Sequence, residues 1–301
     1  MSDLLAKLNI FEHTIIGKWW HWIFIELADK RTNHWPLIRN PLPGLAIILF
    51  WLYFVTKLGP RLMAKREPFK MTKLLVAYNA IQVVISAIIT WQALYHGYLT
   101  GTYSLTCEAI DRTRNPAAMR AARSFYWYML AKFTELLDTV FFVLRKKNNQ
   151  VSFLHLYHHT GMPMISWVLT KYFPGGHFAF AGMLNSMVHI VMYTYYMIAA
   201  MGPKYQKYLW WKKYITSMQM GQFALAFLHF SQLLFFDCGF PRWTILFAMP
   251  NAVFFYVLFN DFYQKAYKAK QELKDKENAR LLQENNNNNN NLIHLAKAKD
   301  D

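Results

Sequence analysis

Seven long apolar runs limit most strongly what this chain can fold into. Each is close to the length an α-helix needs to cross a bilayer, and they cover residues 42–58, 73–98, 124–144, 152–171, 178–201, 214–236 and 241–262. Soluble domains carry about a quarter charged residues, whereas only 17% of these 301 residues are charged. We therefore expect an all-α polytopic membrane protein with seven transmembrane helices.

Two segments flank the predicted seven-helix domain of residues 38–264. Residues 1–37 are amphipathic and lack the basic start and short apolar core of a cleavable signal peptide. Their tryptophans suit a membrane interface: Trp19, Trp20, Trp22 and Trp35. Residues 265–301 form a basic tail whose asparagine run, 285–291, cannot pack into a core.

Basic residues alternate between the loops, which predicts the topology. They are concentrated between runs one and two, three and four, five and six, and in the tail. By the positive-inside rule these regions are cytosolic, so the N-terminus is lumenal and the C-terminus cytosolic. Residues 99–123 are an exception, because this predicted lumenal loop carries Arg112, Arg114, Arg120 and Arg123.

The formal net charge of +16 could suggest a nucleic-acid partner. The positive charges, however, lie in short loops between apolar runs. That placement favours membrane topology and contacts with phosphorylated ligands, so we expect no nucleic acid.

The two cysteines and the chain end carry information about the compartment. Cys107 and Cys238 both fall in predicted lumenal loops, which favours a disulfide over two unrelated thiols. The last five residues read KAKDD, and Lys297 and Lys299 resemble a dilysine retrieval signal for the endoplasmic reticulum. The alternative for this end is a merely charged tail.

Three histidines open the fourth run, inside an apolar segment: His155, His158 and His159. On a helix these positions share one face. An imidazole can act as a base, a nucleophile or a metal ligand, and three imidazoles at membrane depth are costly unless they are paired or used. We interpret them as a functional cluster, the alternative being a helix end solvated at the headgroups.

Three other runs also carry polar side chains on one helix face. Run three holds Lys132, Glu135, Asp138 and Thr139, run five holds Asn185, His189, Tyr193 and Tyr196, and run six holds Thr216, Gln219 and Gln222. Ion pairs or hydrogen bonds that only fix helix packing are the alternative. The His and Gln sets lie near the cytosolic ends of their runs, Asp138 and Thr139 lie in the cytosolic half of run three, and His189 lies mid-span. The sets can thus meet in one cavity in the cytosolic half of the predicted bilayer. A polar cytosolic end with an apolar interior suits a lipid thioester carried on coenzyme A.

The four sets together resemble the ELO family, the membrane elongases of long and very long chain fatty acids. The family patterns K-x-x-E-x-x-D-T, H-x-x-H-H, N-x-x-x-H-x-x-M-Y and T-x-x-Q-x-x-Q are complete and in order. They stand as KFTELLDT (132–139), HLYHH (155–159), NSMVHIVMY (185–193) and TSMQMGQ (216–222). The resemblance covers about residues 30–265. Leu156 differs from the H-W-Y-H-H form of the branch that acts on shorter chains, which favours long and very long chain substrates.

The resemblance implies a very-long-chain 3-oxoacyl-CoA synthase of the endoplasmic reticulum membrane, with a tunnel for the acyl chain. Acyl-CoA and malonyl-CoA would condense to 3-oxoacyl-CoA, with release of carbon dioxide and CoA, and no bound cofactor or metal is implied. The partners implied are membrane lipid and the ketoacyl-CoA reductase, dehydratase and enoyl-CoA reductase of the elongation cycle. The sequence leaves homo- or hetero-oligomers open.

Neither cysteine lies near the histidines, so an imidazole is the candidate nucleophile. We hypothesise that His158 forms an acyl-imidazole, that His189 stabilises the malonyl-derived enolate, and that His155 and His159 position the nucleophile. The other polar residues are predicted to bind substrate or hold the frame: Lys132, Glu135, Asp138, Thr139, Asn185, Tyr193, Tyr196, Thr216, Gln219 and Gln222.

Two other functional classes stay open at this point. Membrane di-iron desaturases and hydroxylases also use H-x-x-H-H, but they need about eight histidine ligands on the cytosolic side. Too few of the eleven histidines of this chain lie on that side of the predicted topology. A seven-span transporter or receptor could use the same cavity for binding alone.

Overall fold

The computed structural model describes residues 14–268, 273 and 275–284. No β-strand occurs in this part of the chain, and the elements are helical throughout. The asparagine run, His294 and the KAKDD end, on which the dilysine prediction depends, lie outside the described residues.

The helices follow the predicted apolar runs, except that the third begins earlier than predicted. A short helix α1 (Ile15–His21), extended by a π-helical turn (Trp22–Glu26), precedes them. The long segments are α2 (Pro41–Tyr53) continued by a π-helical turn (Phe54–Leu58) and α3 (Gly59–Met63); α4 (Thr72–Ala93) with a π-helical end (Leu94–Leu99); α5 (Pro116–Thr134) followed by α6 (Leu136–Leu144); α7 (Phe153–Tyr172); α8 (Phe178–Ala200); α10 (Lys212–Phe235), after the short α9 (Pro203–Gln206); and α11 (Ile245–Tyr263) with a π-helical end (Gln264–Lys268). Short 3₁₀ helices cover Asn148–Gln150 and Arg242–Thr244, and residues 275–284 are helical.

Three of these segments are long and apolar enough to cross a membrane: Pro41–Met63, Thr72–Leu99 and Arg242–Tyr267. Large apolar side chains such as Phe50 and Leu246 point outward along them, an exposure that soluble monomers rarely show over whole helices. The chain therefore has membrane helices. The other predicted spans, α5 to α8 and α10, hold the polar residues of the four motif sets, which lowers their mean hydropathy.

The third segment begins earlier than we predicted from hydropathy. α5 starts at Pro116 and not near residue 124, so Arg120 and Arg123 belong to a helix and not to a loop. Asn115 caps it, because its side-chain oxygen accepts a hydrogen bond from the backbone N–H of Ala118 at 2.8 Å. Proline at the first helical position and the alanines that follow also favour helix. These capping signals are present in the sequence, but Arg120 and Arg123 lower the local hydropathy, so a criterion based on hydropathy places the start of the helix too late.

The bundle has two distinct ends. Cys107 and Cys238 form a disulfide that joins the loop before α5 to the loop before α11, and we call this the disulfide end. α7 begins at the His box (His155–His159) and ends at Tyr172, whose backbone carbonyl accepts a hydrogen bond from Arg112. Since a helix rises about 1.5 Å per residue, the His box lies about 20 Å from the disulfide end.

Removal of the disulfide is expected to destabilise the bundle. The bond links residues 131 apart in the sequence, and cross-links that close long loops typically contribute about 2–4 kcal/mol to the free energy of unfolding. We expect Cys107→Ser and Cys238→Ser to lose that amount, measured by unfolding of the purified protein in detergent. Reduced wild-type protein is the control. Equal stability of both variants and oxidised wild type would contradict the prediction.

Candidate active site

A buried charged cluster connects α5 with α8. Lys132 Nζ donates hydrogen bonds to both carboxylate oxygens of Glu135 at 2.9 and 3.1 Å, and His189 Nδ1 lies 3.1 Å from Glu135 Oε1. The Lys132 and Glu135 side chains are only 2% and 3% exposed. Buried ion pairs need additional polar partners to offset desolvation, and the His189 ring lies beside both charged groups.

The helix tightens where this cluster forms. α5 ends at Thr134 and α6 begins at Leu136, and the backbone N–H of Asp138 bonds to the carbonyl of Glu135, three residues back. This 3₁₀-type turn often marks a functional or strained position. Asp138 Oδ2 accepts a hydrogen bond from Tyr193 Oη at 2.7 Å. The turn thus places two carboxylates, one turn apart, against two residues of α8.

The three histidines of the His box have different surroundings. His155 Nε2 lies 2.8 Å from Thr139 Oγ1, which ties it to α6. His159 is buried between His155 and Trp51, with ring centroids 4.2 and 6.4 Å away. His158 packs edge-on against Phe255 of α11 at 5.6 Å, and its ring nitrogens make no hydrogen bond within the described residues.

A cavity of about 630 Å³ starts at His158 and extends toward the disulfide end. Its polar lining at the start includes Asn185 of α8 and Gln222 of α10, and the remainder is mainly aliphatic and aromatic, as far as Phe173 and Trp243. The volume lies within the range of small-molecule sites. His158 is therefore the member of the His box that faces this cavity.

The remaining predicted residues lie around this centre. Thr216 is buried on α10, and the Gln219 amide donates to Met192 Sδ at 3.6 Å. Tyr196 packs edge-on against Tyr193, with ring centroids 6.0 Å apart. Of the predicted site residues, His158, Asn185 and Gln222 line the cavity and the others do not, so the four predicted sets do not all open into one cavity. Within the described residues, no group of three His, Cys, Asp or Glu side chains is placed to hold a metal ion.

The amino-acid sequence matches a known protein family. A family model for ELO, described as the GNS1/SUR4 family, matches residues 36–275, a range that contains all four polar sets. The chain belongs to the ELO family. The resemblance that we inferred from the motifs is thereby confirmed.

Several very long chain fatty acid elongases are similar to this chain over most of its length. A very long chain fatty acid elongase of Aedes aegypti is 49% identical over 249 residues, which cover 83% of this chain and 70% of that protein. Very long chain fatty acid elongase 7 of Drosophila melanogaster is 48% identical over 262 residues, covering 87% and 79% respectively. Elongase 7 of Rattus norvegicus is 44% identical over 258 residues, covering 85% and 92%.

Tyr128 is a site residue of this ELO protein that the motif analysis missed. Its hydroxyl donates to Asn185 Oδ1 at 2.8 Å, and Lys132 Nζ lies 4.9 Å from the centre of its ring. It also lines the cavity. Tyr128 precedes Lys132 by four residues and so lies on the same helix face, a spacing from which it could have been found.

Support for the ELO motifs also comes from helices that carry none of them. Trp51 of α2 donates from its indole N–H to the carbonyl of Leu136 at 2.8 Å, and Gln82 of α4 donates to Thr134 Oγ1 at 2.9 Å. Both contacts fall at the tightened turn between α5 and α6. Single tryptophan and glutamine residues in apolar runs give no sequence signal for such contacts.

Proposed function

We propose that this ELO protein is a fatty acid elongation enzyme that condenses long or very long chain acyl-CoA with malonyl-CoA to 3-oxoacyl-CoA. The observation that carries the proposal is the position of His158, at the polar end of a long apolar cavity. The names of the relatives, very long chain fatty acid elongases, support the same class of substrate. A nucleophile at the mouth of an apolar cavity suits a reactive carbonyl that carries a hydrocarbon chain.

The cavity is proposed as the tunnel for the acyl chain. Between His158 and Phe173, both of which line it, a helix rises about 22 Å. One leaflet of the hydrocarbon core is about 15 Å thick, half of the bilayer core, and ordinary lipid acyl chains fill it. A path longer than one leaflet favours chains longer than those of ordinary membrane lipids.

In the first half-reaction, a ring nitrogen of His158 attacks the thioester carbonyl carbon of acyl-CoA. The carbon–sulfur bond breaks, CoA leaves as the thiol with the imidazole proton, and an acyl-imidazole forms. The absence of a hydrogen bond on His158 within the described residues supports this role, because a nucleophile needs a free lone pair. His159 packs beside the His158 ring, with centroids 5.1 Å apart, and His155 packs against His159, so the two would position the nucleophile.

In the second half-reaction, malonyl-CoA loses carbon dioxide, and the electron pair of the broken carbon–carbon bond becomes an enolate. The enolate carbon attacks the acyl carbonyl, the carbon–nitrogen bond breaks, and the imidazole recovers one proton from the medium. His189, held by Glu135, would stabilise the enolate, and Asn185 and Gln222 would donate hydrogen bonds to carbonyl oxygens. The hydrogen bond between Thr139 and His155 and the one that Tyr193 donates to Asp138 favour a positioning role for these two hydroxyls.

The proposed setting is the endoplasmic reticulum membrane with seven spans. The His box would face the cytosol, where CoA thioesters are available, and the disulfide end would face the oxidising lumen. Each 3-oxoacyl-CoA would then require a ketoacyl-CoA reductase, a dehydratase and an enoyl-CoA reductase, which are the proposed partners, and lateral association with ELO copies is compatible with this setting.

Incubation of the purified protein with labelled malonyl-CoA and a panel of acyl-CoA primers tests the proposal. We expect a labelled 3-oxoacyl-CoA two carbons longer than its primer, detected by mass without any reductant, with long and very long chain primers preferred. The same assay without primer is the control. No product from any primer, together with stoichiometric iron in the purified protein, would instead support the desaturase or hydroxylase class.

A further inference from the structure

A second pocket lies at the disulfide end, away from the His box. It has a volume of about 430 Å³, and its lining includes three arginines and three aromatic residues: Arg31, Trp35, Arg114, Arg123, Tyr126 and Trp127. Arg31 of its lining binds Asp29, whose backbone N–H donates to the carbonyl of Lys171 near the end of α7, so the pocket lies about 20 Å from His158 along that helix. The proposed condensation does not use it.

Positive charge exceeds negative charge around this pocket. The buried Arg31 binds the carboxylate of Asp29 at 2.8 and 2.9 Å, and Arg112 binds the same carboxylate at 3.2 Å. The single negative charge of Asp29 is therefore shared by two guanidinium groups. Nearby Asp111 accepts hydrogen bonds from the backbone N–H of Thr113 and from the side chain of Asn115. The bond from Thr113 is the main reason why the pKa of the Asp111 carboxyl lies below its usual value.

Arg114 and Arg123 add two charges that nothing in the described chain neutralises. Both side chains are exposed, and neither has an ion pair or a hydrogen bond to another described residue. Arg114 immediately precedes the cap of α5, and Arg123 lies two turns into that helix. Two guanidinium groups on one pocket are an arrangement that binds phosphate oxygens through charge-assisted hydrogen bonds.

Aromatic rings form the other side of the pocket. Trp35 packs edge-on against Tyr126 with ring centroids 5.0 Å apart, and Trp127 is 59% exposed. Tryptophan and tyrosine with nearby arginine are typical of the interface between headgroups and hydrocarbon. A ligand with a phosphate next to an apolar part therefore matches both sides of the pocket.

We infer that this pocket binds an anionic glycerophospholipid of the leaflet at the disulfide end. Its phosphate lies between Arg114 and Arg123, and its glycerol and upper acyl chains lie on Trp127 and Tyr126. A choline headgroup is disfavoured, because it would bring a cation next to unpaired guanidinium groups. The site also gives a reason for arginines in residues 99–123, which the positive-inside rule leaves unexplained.

Lipid retention by the full-length protein tests this site independently of condensation. The protein is reconstituted in phosphatidylcholine nanodiscs containing phosphatidylinositol, and bound phosphatidylinositol is counted by native mass spectrometry. We expect Arg114→Gln with Arg123→Gln to weaken retention by at least about tenfold. The matched control, Lys30→Gln with Arg120→Gln, removes two exposed charges that do not line the pocket and is expected to retain the lipid.

Three results would overturn the inference. The first is undiminished retention in the Arg114 and Arg123 double variant. The second is an equal loss of lipid in the control variant, which would indicate an effect of diffuse surface charge. The third is equally tight binding of soluble inositol phosphate, which would indicate a ligand from solution. Circular dichroism checks that the helices persist. If the double variant is not folded, the single variants Arg114→Gln and Arg123→Gln replace it, each with an expected weakening of severalfold.

Discussion

His158→Ala is expected to lower the rate of condensation by at least about 10⁴-fold, because loss of the nucleophile in covalent catalysis removes the whole acylation pathway. Incubated with acyl-CoA alone, the wild-type protein should gain the mass of one acyl group and release free CoA. The variant should gain none. Intact-protein mass spectrometry measures the adduct, and labelled malonyl-CoA measures the product.

The control for this variant is His21→Ala. His21 lies on the short helix α1, is half-exposed and, among the residues that the structure describes, pairs only with Glu26 on the surface, so its loss should leave both the adduct and the product unchanged. An acyl adduct on His158→Ala would show that the covalent bond forms elsewhere. Full condensation by His158→Ala without any adduct would show that the reaction is a direct transfer between the two thioesters.

The four polar sets could be predicted because helical spacing is a local property of the sequence. His155, His158 and His159 recur at i, i+3 and i+4, and such positions share a face whatever surrounds the helix. The same spacing cannot distinguish the three, since their separate environments come from other helices. Thr139 binds His155, Trp51 covers His159, and Phe255 borders His158. Which histidine meets the cavity is therefore a result of tertiary packing.

The turn at Glu135 was not predictable for a related reason. A continuous helix already places Lys132, Glu135 and Asp138 near one another, so the sequence gives no sign of the tightening that separates α5 from α6. Contacts from distant segments accompany it, including the indole of Trp51 and the amide of Gln82. The start of α5 is the opposite case, because the local signals Asn115 (N-cap) and Pro116 (first helical position) predict it. The criterion based on hydropathy alone placed it too late.

Glu135→Ala is expected to lower the free energy of unfolding by about 3–5 kcal/mol, because it leaves the buried ammonium of Lys132 without its carboxylate. His189 of α8 also loses its partner. Unfolding in detergent measures the effect. The matched control is Asp261→Ala, which breaks the exposed pair with Lys265 and should change stability by about 1 kcal/mol or less.

A double variant separates the charge effect from the catalytic role. Lys132→Met with Glu135→Leu removes both buried charges together, and apolar replacement of a buried pair is often neutral or stabilising. We expect the double variant to recover most of the stability lost in Glu135→Ala while condensation stays low, because His189 is no longer held by a carboxylate. Recovery of both stability and condensation would show that the pair only fixes helix packing. The double variant leaves no unpaired charge at positions 132 and 135. If it is nevertheless as unstable as Glu135→Ala, the fold requires the carboxylate itself.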